Sequence, residues 1–233
     1  MRFEDLNWMD IRSYLEQDDR IILVLGATEQ HGYLSLLTDI KIPLALADAA
    51  AAESGILVAP PLNFGCSPYF LEYPGTISFR SSTLMAAIED MLDSLTSAGF
   101  KRILVLNGHG GNAPAKAFLS EYLNSHPGVR INWYEWWQSH SVEEICVKHQ
   151  LKPAHANWLE AFPFTRVADL PQEPKTPPMV PGLMDAKMAR QVYGDGSFGG
   201  RYQANDEVMS EIFAACLQDI RLLLLFAGPD GAP

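Results

Sequence analysis

Two short aliphatic runs, residues 21–25 and 103–106, each lead into a polar, glycine-containing turn that carries a histidine. The first turn reads Gly26-Ala27-Thr28-Glu29-Gln30-His31-Gly32 and the second Asn107-Gly108-His109-Gly110-Gly111-Asn112. Unbroken apolar runs of this length, followed by helical sequence, are the mark of strands buried on both faces, as in parallel sheets. Ligands of open α/β sheets collect beyond the carboxyl ends of the strands, so His31 and His109 stand where a site forms.

The surrounding sequence repeats the alternation of strand and helix. An Ala-rich segment predicts a helix over about 42–54, with Pro43 in its first turn and Gly55 as its stop. Residues 56–59 predict a short strand, and 76–79 another. Ser81 or Ser82 is placed to cap a helix whose apolar positions are Leu84, Met85, Ile88, Met91, Leu92 and Leu95, and Gly99 ends it. Asn112 is placed to cap the next helix, with Phe118, Leu119, Tyr122 and Leu123 on its inner face, and residues 129–134 follow as a strand. The expected architecture is a three-layer α/β/α domain spanning 1–233 with a mainly parallel sheet. Between about 150 and 203 the pattern lapses: residues 171–181 hold five prolines and 194–200 are glycine-rich. That stretch predicts irregular loops over the carboxyl edge of the sheet, with room for an oligomer contact. A final amphipathic helix is expected over about 205–226, with Val208, Met209, Ile212, Phe213, Leu217 and Ile220 inward, Gly228-Pro229 as its stop and a mobile end beyond.

Charge narrows the partners. With 28 acidic against 17 basic side chains the formal charge is -11, and no basic cluster interrupts it, which argues against nucleic acid and anionic membranes and suits cations. Cys66, Cys146 and Cys216 are odd in number and far apart, so they read as buried thiols. No secretory apolar segment opens the chain and no run is long enough to span a bilayer, from which a cytoplasmic location is expected.

Glu29, His31, Asp39 and His109 are the candidates for chemistry. Glu29 and His31 are two apart, so on extended backbone they point the same way. Carboxylates and imidazoles without a thiolate suit Zn, Mn or Fe and do not choose among them. The competing reading, a hydrogen-bonded cap at each strand end, is about as probable from the residues alone. His155 and Glu160 form a third cluster five residues apart in the segment Pro153-Ala154-His155-Ala156-Asn157-Trp158-Leu159-Glu160. Taken singly both read as structural. His126, His140 and His149 are assigned to the surface. A second class of function also fits: residues 108–112 could present backbone N–H groups to a phosphate, as a nucleotide or small-molecule binder would. The turn lacks the dinucleotide fingerprint and the phosphate-loop lysine, and that reading leaves Glu29 and Asp39 without a role.

Glu29-Gln30-His31-Gly32, Thr38-Asp39, Asn107-Gly108-His109-Gly110-Gly111-Asn112 and His155 with Glu160, in this order, resemble the signature of the creatininase (creatinine amidohydrolase) family over about residues 5–226. The resemblance implies a layered α/β fold and a metal-dependent hydrolase of C–N bonds in small cyclic or linear amides and formamides. It implies two divalent metal ions per chain: Glu29, Asp39 and His109 for one, and His31, bridging Asp39 and Glu160 for the other. His155 matches the histidine that moves protons to the leaving nitrogen, so His155 and Glu160 are the expected catalytic pair. A peptide-trimming enzyme of the same family shares every ligand. The family also tends to homo-oligomers.

The sequence departs from the family pattern at three places. Tyr33-Leu34-Ser35-Leu36-Leu37 stands where the family has a longer loop with Pro-His. Gly111 stands where enzymes acting on creatinine place a metal-binding Glu, so Glu160 must serve. Asn157-Trp158 and Ala161-Phe162 replace Gly-Glu and Thr-Ser in the third motif. These changes point away from creatinine as substrate. Trp136, Trp137 and Trp158, with Gly110 and Gly111, are the candidate substrate contacts, and Trp133 and Tyr134 flank them. Residues 198–202 are candidates to close over the site, with Arg201 meeting a substrate carboxylate.

Overall fold

The aliphatic residues of the two runs divide between two cores, as a side-chain period of two requires. The computed structural model describes residues 1–180 and 182–227. Four strands, β1 (Arg20–Leu25), β2 (Leu57–Val58), β3 (Arg102–Asn107) and β4 (Arg130–Glu135), form one sheet in the order β2-β1-β3-β4, and every pair is parallel. The helices are α1 (Trp8–Leu15), α2 (Thr38–Ser54), α3 (Ser81–Ala98), α4 (Ala113–Ser125), α5 (His140–Lys148), α6 (Ala186–Tyr193) and α7 (Asp206–Leu223). Ile21, Leu23, Leu25, Ile103 and Val105 pack against α3 and α4, with Ile11 and Leu15 of α1 at the margin. Ile22, Val24, Leu104 and Leu106 pack against α2, α5 and α7. Helices therefore cover both faces of a parallel sheet.

Strand order fixes where a site can form. From β1 the chain goes outward to β2, then crosses to β3 on the other side of β1, so the direction of winding switches between β1 and β3. Leu25, Asn107 and Glu135 are in register at the carboxyl edge. Both histidine turns leave the sheet there, side by side.

Several local expectations are revised. Helix α2 begins at Thr38, four residues before the expected start, which brings Asp39 into its first turn and leaves Pro43 inside it. Lacking an N–H, Pro43 makes no helical bond to the carbonyl of Asp39. That carbonyl faces the backbone of Gly26 and Gly108, where any Cβ would collide with it. The two glycines thus let the start of α2 settle onto the ends of β1 and β3. Residues 76–79 form no strand: Ile77 makes one antiparallel bridge to Thr28. Arg80, not a serine, is the N-cap of α3, and Ser81 and Ser82 lie inside the helix with no side-chain cap. Asn112 does occupy the N-cap of α4, but its amide donates to Gly26 O and Asn107 Oδ1 instead of capping. The irregular stretch contains a helix, α6, capped by the Asp185 carboxylate, which accepts from Met188 N. Helix α7 ends at Leu223, and Gly228-Pro229 and the chain end lie outside the described residues. All three cysteines are buried free thiols. No helix among the described residues is long and apolar enough to cross a membrane.

The glycine seat of α2 gives a test on paired variants. A Cβ at Gly108 meets backbone, whereas one at Gly110 meets nothing within 4 Å. Gly108→Ala is expected to cost about 1–3 kcal/mol, the usual range for overpacking, and Gly110→Ala almost nothing in thermal melts. Equal melting temperatures for the two variants would contradict this seating.

Candidate metal centre

Asp39 joins what the two turns bring. Its Oδ1 lies 3.0 Å from His31 Nε2 and its Oδ2 3.0 Å from His109 Nδ1. Glu29 Oε1 stands 3.4 Å from His109 Nδ1, and Glu160 Oε1 3.7 Å from His31 Nε2. Ligand atoms of Glu29, Asp39 and His109 lie within 4.8 Å of one another, as do those of His31, Asp39 and Glu160. The two groups share only Asp39. A third such group, Glu29, His31 and His155, overlaps both.

Each histidine is committed to one tautomer by a backbone carbonyl, which can only accept. His31 Nδ1 donates to Glu29 O at 3.2 Å, leaving Nε2 toward Asp39 and Glu160. His109 Nε2 donates to Cys66 O at 2.8 Å, leaving Nδ1 toward Asp39 and Glu29. The nitrogen facing the carboxylates must then carry a second proton or offer its lone pair to a cation. Glu29 and Asp39 are only 1% and 3% exposed, and with both imidazoles neutral in these tautomers Glu29 Oε2, Asp39 Oδ2 and His31 Nε2 have no hydrogen-bond partner among the described residues. Buried anions left this way are costly unless neutralised. The residues present therefore fit a pair of divalent cations.

Electrostatics shows the same conflict. Burial pushes Glu29 up to about 7 despite His109 and His31 nearby, with Asp39 adding to the rise. Burial also opposes charge on His109, but Glu29 and Asp39 outweigh it and raise the imidazole to about 9. His31 is raised well above its ordinary value because Asp39 and Glu160 overcome its burial. Asp39 is buried too, yet His31 and His109 hold it below the ordinary carboxylate range.

Local backbone builds the set. Asn107, at the end of β3, donates from Nδ2 to His109 O at 2.8 Å, and its Oδ1 accepts from Asn112 at 3.2 Å, so the second turn braces itself. The third motif does likewise. Asn157 accepts from Leu159 N and donates to Lys152 O and Gly199 O, and Trp158 Nε1 donates to Lys152 O. Ala156 adopts φ 53° and donates its N–H to Glu160 Oε2 at 2.6 Å, which leaves Oε1 toward His31. The residues that replace the family's usual ones thus support the turn that presents Glu160.

His155 sits beside this centre, its Nδ1 3.7 Å from Glu29 Oε1 and its Nε2 2.9 Å from the Gln30 amide nitrogen. Burial and the charge of His31 push it down to about 4. Phe70 stacks on the ring at 4.7 Å and Phe198 packs on it at 4.9 Å. A clasp in the irregular region holds Phe198. Lys175 Nζ donates to Tyr193 O, Ser197 O and Asp195 Oδ1, Tyr202 OH donates to Asp195 Oδ2, and Tyr193 stacks on Phe198.

The centre opens into a cavity of about 510 Å³ whose lining includes Gly110, Gly111, Trp137, His155 and Glu160. Trp136 and Trp158 are absent from that lining and are 2% and 1% exposed. Both belong to the core that packs with α2, α5 and α7 on one face of the sheet. Trp133 packs at the edge of the core beneath α3 and α4, and Tyr134 in the core on the opposite face. Arg201 lines a separate surface groove with His149, Gln203 and Asn205, so it does not meet a ligand at this centre. Three contributors escaped the sequence reading: the Cys66 carbonyl, Phe70 and the Gln30 side chain. The first two come from a loop without periodicity, and only Gln30, inside a recognised motif, left a signal. His126, His140 and His149 lie at or near the surface, beside Asp93, Glu144 and Glu211.

The family model described as Creatininase: Creatinine amidohydrolase matches residues 4–224. A creatinine amidohydrolase of Pseudomonas putida is 28% identical over 116 residues, 47% of this chain and 45% of the relative. A 3-dehydro-scyllo-inosose hydrolase of Thermotoga maritima is 30% identical over 138 residues, 57% and 44% of the two chains. A mycofactocin precursor peptide peptidase of Mycolicibacterium smegmatis is 36% identical over 104 residues, 42% of each. The aligned stretches thus span less than half of each relative's length. Among solved structures, a mutant creatininase of Zn-Zn type superposes with a TM-score of 0.78 at 20% identity, over 98% of both chains. A structure described as creatininase Mn gives 0.77 at 22% identity, again over 98% of both. At these identities the superpositions establish the fold.

The raised Glu29 and His109 give a pH prediction for the protein stripped of metal by a chelator. Both folded values exceed the unfolded ones, so their protonated forms stabilise the fold, and that stabilisation is lost as pH rises through about 7 and then about 9. The depressed His155 and Asp39 act in the opposite sense, but only at lower pH. The melting temperature of the stripped protein is expected to fall between pH 7 and 9. Added Zn²⁺ or Mn²⁺ should restore it, with a larger gain at the higher pH. A melting temperature flat across that window and indifferent to metal would contradict the electrostatics described.

Proposed function

The chain belongs to the creatininase (creatinine amidohydrolase) family, and on that premise we propose that it is a metal-dependent hydrolase of the C–N bond in a small cyclic or linear amide. The observation that carries this reading is the single carboxylate, Asp39, shared by two complete ligand groups with different histidines and glutamates. Glu29, Asp39 and His109 would hold one divalent cation, and His31, Asp39 and Glu160 a second. A pair of such cations lowers the pKa of water and polarises a substrate carbonyl.

The remaining chemistry falls to His155. An amine leaves badly unless protonated, and His155 lines the cavity with its Nδ1 3.7 Å from Glu29 Oε1. Its basicity is low, owing first to burial. Cations nearby push the same way. Neutral His155 therefore accepts the proton released by the attacking water and surrenders it readily to the departing nitrogen. The Gln30 amide and the rings of Phe70 and Phe198 hold the imidazole in place for both transfers. Phe70 and Phe198 also keep bulk water from that side.

Position 111 argues against creatinine as the substrate. A Cβ there would collide with the carbonyl of Cys66 and with His109 Nε2, so the loop at 65–67 occupies the space a carboxylate would need. A second reading, a peptidase trimming a short peptide, draws support from the Mycolicibacterium smegmatis relative named as a peptide peptidase. It uses the same ligands.

Elemental analysis of the loaded protein is expected to find about two metal equivalents, and Glu160→Gln about one. A mass-spectrometric screen of the Mn²⁺- and Zn²⁺-loaded protein against cyclic ureides, formamides and short peptides should find turnover. His155→Ala should lower kcat by about 10²–10⁴ with metal content unchanged. Fewer than half an equivalent bound, or no cleavage of any of these compounds by fully loaded protein, would sink the proposal.

A further inference from the structure

The cavity over the metal centre is closed on one side and open on the other. Phe70 and Phe198, 6.0 Å apart by their ring centroids, wall it behind His155. On the far side its lining includes Trp137, Gln138 and Pro153, and these same three residues line a second cavity of about 560 Å³. Gln138 and Pro153 in this shared wall are exposed and Trp137 is half-buried. The second cavity runs along α5. Cys146 and Leu151 form its floor, Val147 stands at its wall, and Glu143, Gln150 and Lys152 form a polar rim. Val147 is 72% exposed. A groove with an apolar floor and a polar rim, sharing a wall with a reaction centre, suits a chain that enters the centre at one end and lies along the groove at the other.

We propose that this groove is the subsite for the part of the substrate remote from the scissile bond, and that this part is an aliphatic chain. The substrate is then a linear amide with an apolar tail, not a compact heterocycle. The inference rests on the hydrolase reading above and names its substrate class. Two features favour a tail over another occupant. The groove shares its wall with the catalytic cavity, so whatever fills one end is positioned by the other. Its floor offers no charged group to a polar ligand.

Hydroxamates test this without turnover, because the hydroxamate group chelates divalent cations and the alkyl group is free to vary. Acetohydroxamate and octanohydroxamate are titrated into the zinc-loaded protein by calorimetry. Octanohydroxamate is expected to bind at least about tenfold more tightly, a gain that burial of two of its additional methylenes would supply. Val147→Glu should bring the ratio of the two affinities close to one, and Val147→Leu should preserve it. Both variants change an exposed side chain and are expected to fold, which their melting temperatures would verify. Equal affinities in the parent protein, or a ratio unmoved by Val147→Glu, would overturn the subsite. A drop in sedimentation mass on Val147→Glu would assign the groove to a second copy of the chain, and overturn it as well. If neither compound binds protein that carries two zinc equivalents, the metal-hydrolase reading fails and takes this inference with it.

Discussion

One buried carboxylate organises the molecule's working end. Asp39 stands in the first turn of α2, where the helix dipole favours a negative charge, and its two oxygens face histidines from two different strand ends. The position is over-determined. Pro43 leaves the Asp39 carbonyl out of the helical ladder, and Gly26 and Gly108 give that carbonyl room against the ends of β1 and β3. The winding of the sheet puts those two strands side by side. Fold and site are therefore one packing problem: the helix cannot shift without drawing apart the two ligand groups.

Around that carboxylate, most of the specificity is imposed by backbone. Carbonyls of Glu29 and Cys66 choose the tautomers of His31 and His109, and the Ala156 N–H chooses which oxygen of Glu160 is free. Farther out, the Lys175–Asp195–Tyr202 clasp ties down a glycine-rich loop so that Phe198 meets His155. Residues 194–200, which have little regular structure, thereby place Phe198 in the wall of the cavity.

The sheet, its parallel sense and the two histidine turns were legible because buried strands and glycine turns leave short, local signatures. The cluster Glu29, His31, Asp39 and His109 was legible for the same reason, and Glu160 and His155 through their resemblance to a known motif. What escaped depends on contacts distant in sequence. Nothing in residues 65–70 announces that the Cys66 carbonyl fixes His109 or that Phe70 stacks on His155. Helix α6 was hidden because its strongly amphipathic turn is short and flanked by prolines and glycines. Trp136 and Trp158 read as pocket aromatics since large rings near motifs suit both roles, and only the direction of each turn, inward here, decides. Arg201 failed similarly: its neighbours in sequence reach the centre while its own side chain lies over another groove.

The crowding at Gly111 has a consequence for how this chain can change. With the 65–67 loop in place, no side chain fits there, so acquiring a carboxylate at 111 as a first step would be penalised whatever it later offered a cation. Loop and residue are epistatic: the loop must retreat first, and by retreating it would release the Cys66 carbonyl from His109. A carboxylate at 111 and the present contact between the Cys66 carbonyl and His109 thus exclude one another.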